Sequence, residues 1–352
     1  MPTLLLRTLS WCYGIVVAMR NFLYQRKIKK RTYYAKPNVI GIGNLSLGGT
    51  GKTPLVIFLL NFFSKHKVVA VLSRGYKRSS KGFKLINEVD TPLTAGDEPY
   101  LVYQRFKYNS NIVVAVCEDR VKGMEKIIMH RPDVTLVLLD DAFQHLSINP
   151  TISMLLTTFD QPFFTDHLLP LGNLREPKTG VTRADIILVT KSPKNLSKSQ
   201  IRTIRSEINQ YYHALDKPPI FFTHIVYNKP VLMWGNIKNQ LPRSILLVTG
   251  IANPIPLRTY LESNGYSVTQ LVFPDHHWFN DMDVLKISNT FSSISDKEKA
   301  IVTTEKDSVR FVHNHTKYLL KTIPTFYIPI EIGFMQTDKI VFEQTVIDHL
   351  NF

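Results

Sequence analysis

Gly48-Gly49-Thr50-Gly51-Lys52-Thr53 combines a permissive backbone with one cation and one hydroxyl. A turn of this kind between a strand and a helix binds phosphate. Its N–H groups and the positive helix end cradle the oxygens, the lysine reaches the β- and γ-phosphates, and the Thr hydroxyl ligates Mg²⁺. Lys52 and Thr53 are assigned those roles. An apolar run at residues 39–42 leads in and a helical run at residues 55–63 leads out. Ser46 stands where the usual pattern carries glycine, so Gly48 and Gly49 must supply the backbone freedom. Pro54 is compatible with a first helical turn.

Other reactive side chains fall just after apolar runs. Asp140 and Asp141 close the run at residues 134–139, as the metal-holding acid of a phosphate-loop enzyme does; strand-end acids also cap helices. Arg74 follows residues 68–72 and is a candidate phosphate contact, although solvated basic loops are common. Asp97 and Glu98 open a helix as a general base or as an N-terminal cap. Arg120, past another run, is a candidate for an anionic group. Arg175 and Glu176 lie in a loop between Pro170 and Pro177, facing a substrate or simply forming a turn. Lys191 follows residues 186–189, where phosphate-loop proteins read the base. Asp275-His276-His277 suits one histidine polarised by a carboxylate better than two ligands from one helix face. Thr304-Glu305-Lys306-Asp307 either caps a helix or touches the nucleotide.

These positions need a scaffold of strands ending on one side. Short Val/Ile/Leu-rich runs at residues 39–42, 68–72, 112–116, 134–139, 153–156 and 186–189 alternate with helical segments. That is the pattern of an open α/β sheet with helices on both faces and ligands at the carboxyl ends of its strands. A polar helix is expected up to about residue 212, and a strand at residues 220–225. The α/β texture then repeats with strands at residues 245–249, 267–272, 300–304 and 325–328. Three segments are expected: residues 1–30, an apolar helix with a basic flank; residues 31–226, the phosphate-loop core; and residues 227–352, a smaller α/β domain.

The 352 residues suffice for two domains, and 43 Lys and Arg against 28 Asp and Glu leave a charge of +15 that favours anionic partners. Two cysteines, Cys12 and Cys117, form no cluster, which argues against structural zinc and fits a reducing compartment. The apolar N-terminus is interrupted by Arg7 and falls short of the ~20 residues needed to span a bilayer. Trp11, Tyr13 and Phe22, together with Arg20, Arg26, Lys27, Lys29, Lys30 and Arg31, suit a helix lying on an anionic membrane surface; packing on the protein's own core is the alternative. No nucleic-acid module accompanies the positive charge. A phosphate-loop kinase or ligase for a small metabolite would not need the apolar, basic-flanked start.

In order, Gly43-Asn-Leu-Ser-Leu-Gly-Gly-Thr-Gly-Lys-Thr-Pro54, Ser73-Arg-Gly-Tyr76, Gly96-Asp-Glu-Pro99, Asp119-Arg120, Asp140-Asp-Ala-Phe-Gln-His145, Leu171-Gly-Asn-Leu-Arg-Glu-Pro177, Gly250-Ile-Ala-Asn-Pro254, Asp275-His276 and Thr304-Glu-Lys-Asp307 closely resemble the tetraacyldisaccharide 4′-kinase family of lipid A biosynthesis. The family pattern shares Ser46. The resemblance implies a P-loop NTPase-like core with a smaller C-terminal α/β domain on a flexible hinge. It implies ATP and Mg²⁺ as cofactors and an acylated disaccharide 1-phosphate lipid as acceptor. It implies a peripheral enzyme on the cytoplasmic face of the bacterial inner membrane, and it calls for no obligate protein partner. By the same resemblance Asp97 and His276 form a base dyad. Lys52 and Thr53 serve ATP–Mg²⁺, with Asp140, Asp141 and Glu176 near the metal. Arg74, Tyr76, Arg120, His145 and Asn173 surround the phosphates or the headgroup, and Arg175 is grouped with them as a substrate-facing residue.

Overall fold

The computed structural model describes residues 2–213, 215–235, 240–311, 320–335 and 337–351. Met1 and Phe352, the ends of the expected segments, lie outside the described residues.

A long helix, α1 (Pro2–Gln25), precedes a short strand, β1 (Thr32–Tyr33), which pairs with β7 (Ile148–Asn149). The main sheet has nine strands: β2 (Asn38–Asn44), β3 (Val69–Ser73), β4 (Lys84–Leu85), β5 (Ile112–Val116), β6 (Leu136–Leu139), β8 (Ile152–Thr158), β9 (Ile186–Thr190), β10 (Ile220–Tyr227) and β16 (Ile330–Phe334). Their spatial order is β16-β10-β9-β8-β2-β6-β3-β5-β4. The strands from β10 to β5 in this order run parallel, and β16 and β4 are antiparallel edges. Their near-continuous apolar sequences follow from burial on both faces, since helices cover each side. The covering helices are α2 (Lys52–Phe63), α3 (Pro92–Ala95), α4 (Asp97–Phe106), α5 (Arg120–His130) and α6 (Lys198–Asn209). Thr91, Asp119 and Ser197 cap α3, α5 and α6 with their side chains.

A second sheet of five strands has the order β11-β15-β14-β12-β13. It contains β11 (Val231–Trp234), β12 (Ser244–Thr249), β13 (Ser267–Val272), β14 (Lys299–Thr304) and β15 (Thr325–Ile328), with α7 (Ile255–Ser263), α8 (Asp281–Ser293) and α9 (Glu305–Phe311) packed around it. The chain crosses between the sheets twice. Asn228 on the way out donates to the Pro329 carbonyl on the way back, at 2.9 Å. The second unit therefore does not run to residue 352 as expected. β16 pairs with β10, and the last helix, α10 (Asp338–Leu350), buries Phe342, Val346 and Leu350 in the core of the main sheet. The short apolar stretch of β16 resembles its neighbour β15, and only long-range pairing distinguishes the sheet each joins.

Helix α1 packs by one face. Val17 is buried, Ser10 Oγ donates to the Leu168 carbonyl at 2.9 Å, and Tyr13 OH donates to the Arg175 carbonyl at 2.7 Å. The other face exposes Leu4, Leu5, Leu9, Trp11, Ile15, Val16, Met19 and Phe22. One face thus packs on the protein's own core, and the other remains exposed. Among the described residues no helix is long and apolar enough to cross a membrane.

Candidate active site

The phosphate loop leaves the carboxyl end of β2 and enters α2. Gly51, the N-cap, has φ of 89°, a conformation that a side chain would strain. The loop is clamped from two sides. On one, Thr190 at the end of β9 donates its hydroxyl to the Thr50 carbonyl at 2.8 Å and packs on Gly51. On the other, Leu47 N–H donates to the Asn173 carbonyl at 2.8 Å, and Arg175 N–H donates to the Leu45 carbonyl at 2.7 Å. Ser46 bridges Leu174 within this second contact. The serine that interrupts the usual glycine pattern therefore sits where the loop takes a strand-like partner, a setting that asks for no left-handed conformation.

Lys52 Nζ donates to Asn44 Oδ1 at 3.2 Å and pairs with Asp141 at 3.3 Å. Asp141 also pairs with Arg175 at 3.1 Å, and these two cations hold its carboxyl below the usual range although burial opposes them. Asp140 is the deeper acid. Burial, with the charges of Glu98 and Asp141, pushes it up to about 7 against the pull of Lys52 and Arg120. Its Oδ1 is buried without a hydrogen-bond partner. A carboxylate in that state suits a cation beside phosphates. Thr53 lies in the first turn of α2, and Mg²⁺ needs few protein ligands because it keeps several waters.

Glu176 does not join this pair. Among the described residues no three carboxylates or metal-type ligands converge on one point. Glu176 is 0% exposed. It accepts from Arg183 at 2.8 and 2.9 Å, from Gln144 at 2.9 Å and from Asn21 of α1 at 3.3 Å. Gln144 also donates to the Asn44 carbonyl at 2.7 Å, so Glu176 joins α1 to the base of the phosphate loop.

Around Asp140 lie the other expected residues. Arg120 is buried and donates to the carbonyls of Cys117 and Asp140, tying the ends of β5 and β6 together. His145 is held down to about 4 by burial and by Arg120. The buried atoms without partners include Arg120 Nε, His145 Nε2, Arg175 Nε, Thr50 Oγ1 and Asp140 Oδ1. Such orphans are uncommon, and their grouping at one end of the sheet fits a polar, charged ligand. Arg74 and Asn173 are exposed at the rim. Tyr76 is exposed too, and its ring stands edge-on to His276 at 6.0 Å.

The second unit supplies the opposite wall. Asp97 begins α4 without capping it, since the N-cap is Gly96 and makes no side-chain bond. Its Oδ2 lies 3.2 Å from His276 Nδ1. The adjacent Glu98 pairs with Lys306 at 3.1 Å. His277 is turned away and bonds Asp283 at 2.8 Å, within the capping box of α8. Thr304 bonds Asp307 at the start of α9, which is the cap expected there. Lys77, Asp141, Lys191 and His276 all adopt positive φ without being glycine, and all four lie at this end of the molecule. Backbone strain of this kind collects at functional sites.

Three participants were not legible in advance. Asn44 is a strand residue in an apolar run, and its role shows only through its contact with Lys52. Arg310 is 1% exposed and lies 3.4 Å from Asp97. Nothing in its local sequence separates it from a surface arginine. Lys191 was placed on the base-reading side, whereas its Nζ lies 4.0 Å from where a Gly49 Cβ would stand, on the phosphate side.

Comparison with known proteins gives the family and the fold. The family described as LpxK, tetraacyldisaccharide-1-P 4′-kinase, matches residues 2–351. The tetraacyldisaccharide 4′-kinase of Bacteroides thetaiotaomicron is 38% identical over 356 residues, covering 97% of this chain and 91% of that one. That of Flavobacterium psychrophilum is 37% identical over 341 residues, covering 96% and 94%. A crystal structure of LpxK from Aquifex aeolicus in complex with ATP superposes with a TM-score of 0.72 at 26% identity, over 99% of this chain and 100% of that one. Sequence and fold agree over the full length, and the chain belongs to the tetraacyldisaccharide 4′-kinase family of phosphotransferases.

Proposed function

We propose that this protein transfers the γ-phosphate of ATP to the 4′-hydroxyl of a tetraacyldisaccharide 1-phosphate, giving the bis-phosphorylated lipid A precursor. The observation that carries the reading is the Asp97–His276 contact at 3.2 Å, made between the two units. The charge of Glu98, the neighbour of Asp97, is among the causes that raise Asp140, after burial.

Phosphoryl transfer asks mainly for positioning and charge neutralisation. The loop N–H groups, Lys52 and the start of α2 hold the triphosphate, with Lys191 flanking Gly49. Thr53 and Asp140 are the residues that would hold Mg²⁺, with Asp141 fixed beside them by Lys52 and Arg175. Mg²⁺, when bound, neutralises charge on the phosphate oxygens. Asp97 accepts the proton of the acceptor hydroxyl while that oxygen bonds to the γ-phosphorus. The bond from the γ-phosphorus to the β,γ-bridging oxygen breaks, and ADP leaves with its electron pair. Arg120, Arg74, His145, Tyr76, Asn173 and Arg175 line the approach and are assigned to the phosphates and the sugar headgroup. The residues between the units exclude water, which limits loss of ATP to hydrolysis.

The exposed face of α1, with Arg20, Arg26, Lys27, Lys29, Lys30 and Arg31 beyond it, lies on the anionic inner-membrane surface on the cytoplasmic side, where the acylated acceptor resides. The deciding experiment is incubation with γ-labelled ATP and the acylated disaccharide 1-phosphate. A labelled lipid bearing a 4′-phosphate is expected; label released only as inorganic phosphate would overturn the assignment.

A further inference from the structure

Helix α9 belongs to the second sheet, yet Val309 packs into the core of the main one. Lys306 and Arg310, four residues apart, project from it toward the start of α4. Lys306 Nζ lies 3.2 Å from His276 Nε2 and 3.1 Å from Glu98 Oε1. Arg310 donates to the His277 carbonyl at 2.9 Å and to Asp307 at 2.8 Å, and its Nε faces Asp97 Oδ2 at 3.4 Å. Both cations thus reach the Asp97–His276 pair from α9.

The hydrogen bonding follows from what these groups can do. An ammonium only donates, so Nε2 of His276 must accept from Lys306. A doubly protonated ring would set two cations 3.2 Å apart. Asp275 Oδ2, 3.9 Å from Nε2, is too far to take a proton from it. The ring proton is therefore on Nδ1, donated to Asp97 Oδ2. Arg310 Nε forms an ion pair with the same oxygen at 3.4 Å, without a hydrogen bond. Among the described residues Asp97 Oδ1 makes no hydrogen bond, so the arrangement assigns one oxygen to the protein and one to the reaction.

We propose that Lys306 and Arg310 are positioning residues for phosphoryl transfer: Lys306 fixes the tautomer of His276, and Arg310 holds Asp97 so that Oδ1 is the atom that takes the acceptor's proton. The inference rests on the reading of Asp97 as the base. It also makes closure of the second unit a condition of reactivity, because α9 and His276 arrive together.

The test uses the full chain with vesicle- or detergent-presented acceptor, and enzyme carrying ¹⁵N-labelled histidine, with the His276 signals assigned by their loss in His276→Gln. In the parent enzyme Nδ1 should be the protonated nitrogen. Lys306→Met should lower kcat by about 10- to 100-fold with the KM for ATP within about twofold, and should release the ring to a mixture of tautomers. Arg310→Met should lose kcat similarly and Arg310→Lys should recover part of it, with thermal melting run on both. An unchanged tautomer in Lys306→Met overturns the Lys306 role, whatever its rate. Equal losses in Arg310→Met and Arg310→Lys that track melting temperature overturn the Arg310 role. Asp97→Asn is measured in parallel. Transfer surviving there sinks the base assignment itself, whereas a dead Asp97→Asn enzyme beside unaffected Lys306 and Arg310 variants sinks only the positioning role.

Discussion

Nδ1 of His276 and Oδ2 of Asp97 lie 3.2 Å apart although they are 179 positions apart in the chain, Asp97 opening a helix that covers the main sheet and His276 following a strand of the second. The contact exists only when the two units meet. On the proposed assignment of Asp97 as the base, bringing the two units together and assembling the base would be one event, and the half-site on the main sheet would bind nucleotide without being able to deprotonate an acceptor.

Asp97→Asn separates those two abilities. It keeps the shape and removes the proton acceptor, so transfer to the lipid should fall by about 10²- to 10⁴-fold. ATP affinity, measured by fluorescence of a labelled nucleotide, should stay within a few-fold of the parent. Loss of nucleotide binding in this variant would place Asp97 on the wrong side of the site.

Lysines 52 and 191 should behave differently. Lys52 contacts both Asn44 and Asp141, so Lys52→Met removes a charge aimed at the reacting phosphates and disturbs an acid beside them. A loss of about 10²- to 10³-fold in kcat is expected. Lys191 flanks the loop at Gly49 without entering the helix end. Lys191→Met should raise the KM for ATP by about tenfold or less, about 1.4 kcal/mol, with kcat little changed. Steady-state kinetics with ATP varied distinguishes the two, and equal kcat losses would contradict the placement of Lys191.

The nucleotide side was legible because its determinants are local. Strand, glycine turn, Gly51-Lys52-Thr53 and helix are consecutive, and Asp140 follows a recognisable apolar run. Asp97 and Glu98 were open between capping and catalysis on sequence alone. The φ of 92° at Gly96, which is the N-cap in place of Asp97, and the contacts of His276 and Lys306 from the second unit are what support the catalytic reading. Glu176 shows the opposite limit. Its type and its loop suit a metal ligand, but Arg183, Gln144 and Asn21 converge on it from three other parts of the chain. β16 and α10 were assigned to the second unit because apolar pattern reports burial, not which sheet does the burying.

Helix α1 uses one face for the protein and offers the other to its surroundings. Leu5→Glu with Val16→Glu places two charges on the exposed face while leaving Ser10, Tyr13 and Val17 packed. Sedimentation with anionic phospholipid vesicles should drop sharply, and high salt should weaken the parent as well, since the basic flank contributes. Full co-sedimentation of the double variant would rule out this face as the membrane contact.

His145 gives the protein an acid-side weakness. Burial beside Arg120 lowers it to about 4, so between that value and its ordinary 6.5 the unfolded chain binds more protons than the folded one. Its contribution is present above about 6.5 and is lost as pH falls toward 4. Asp140, raised to about 7, works in the reverse sense: it favours the folded state at low pH and costs stability as pH rises from its ordinary 3.8 through 7. His145→Gln removes only the first effect. The fall in melting temperature from pH 7 to pH 5 should be smaller in the variant than in the parent, as read by calorimetry of the nucleotide-free enzyme. An unchanged difference would mean that His145 is already protonated in the folded state.

Glu176 offers a direct choice between a metal ligand and a structural acid. If it organises the loop, Glu176→Ala strips the counter-charge from Arg183, which stacks on Phe143 at 4.6 Å, and unpairs Gln144 and Asn21 together. Breaking a buried pair from one side costs about 3–5 kcal/mol, and Glu176→Gln, which keeps the shape and some acceptors, should cost less. Because Gln144 also holds the Asn44 carbonyl and Asn44 holds Lys52, part of the loss should reach nucleotide affinity. A metal ligand would give the reverse pattern. Glu176→Gln would then leave urea unfolding nearly unchanged and raise the Mg²⁺ concentration needed for half-maximal rate. Measuring both quantities on the same two variants decides the matter, and the four protein contacts on the Glu176 carboxylate argue for the loss of stability.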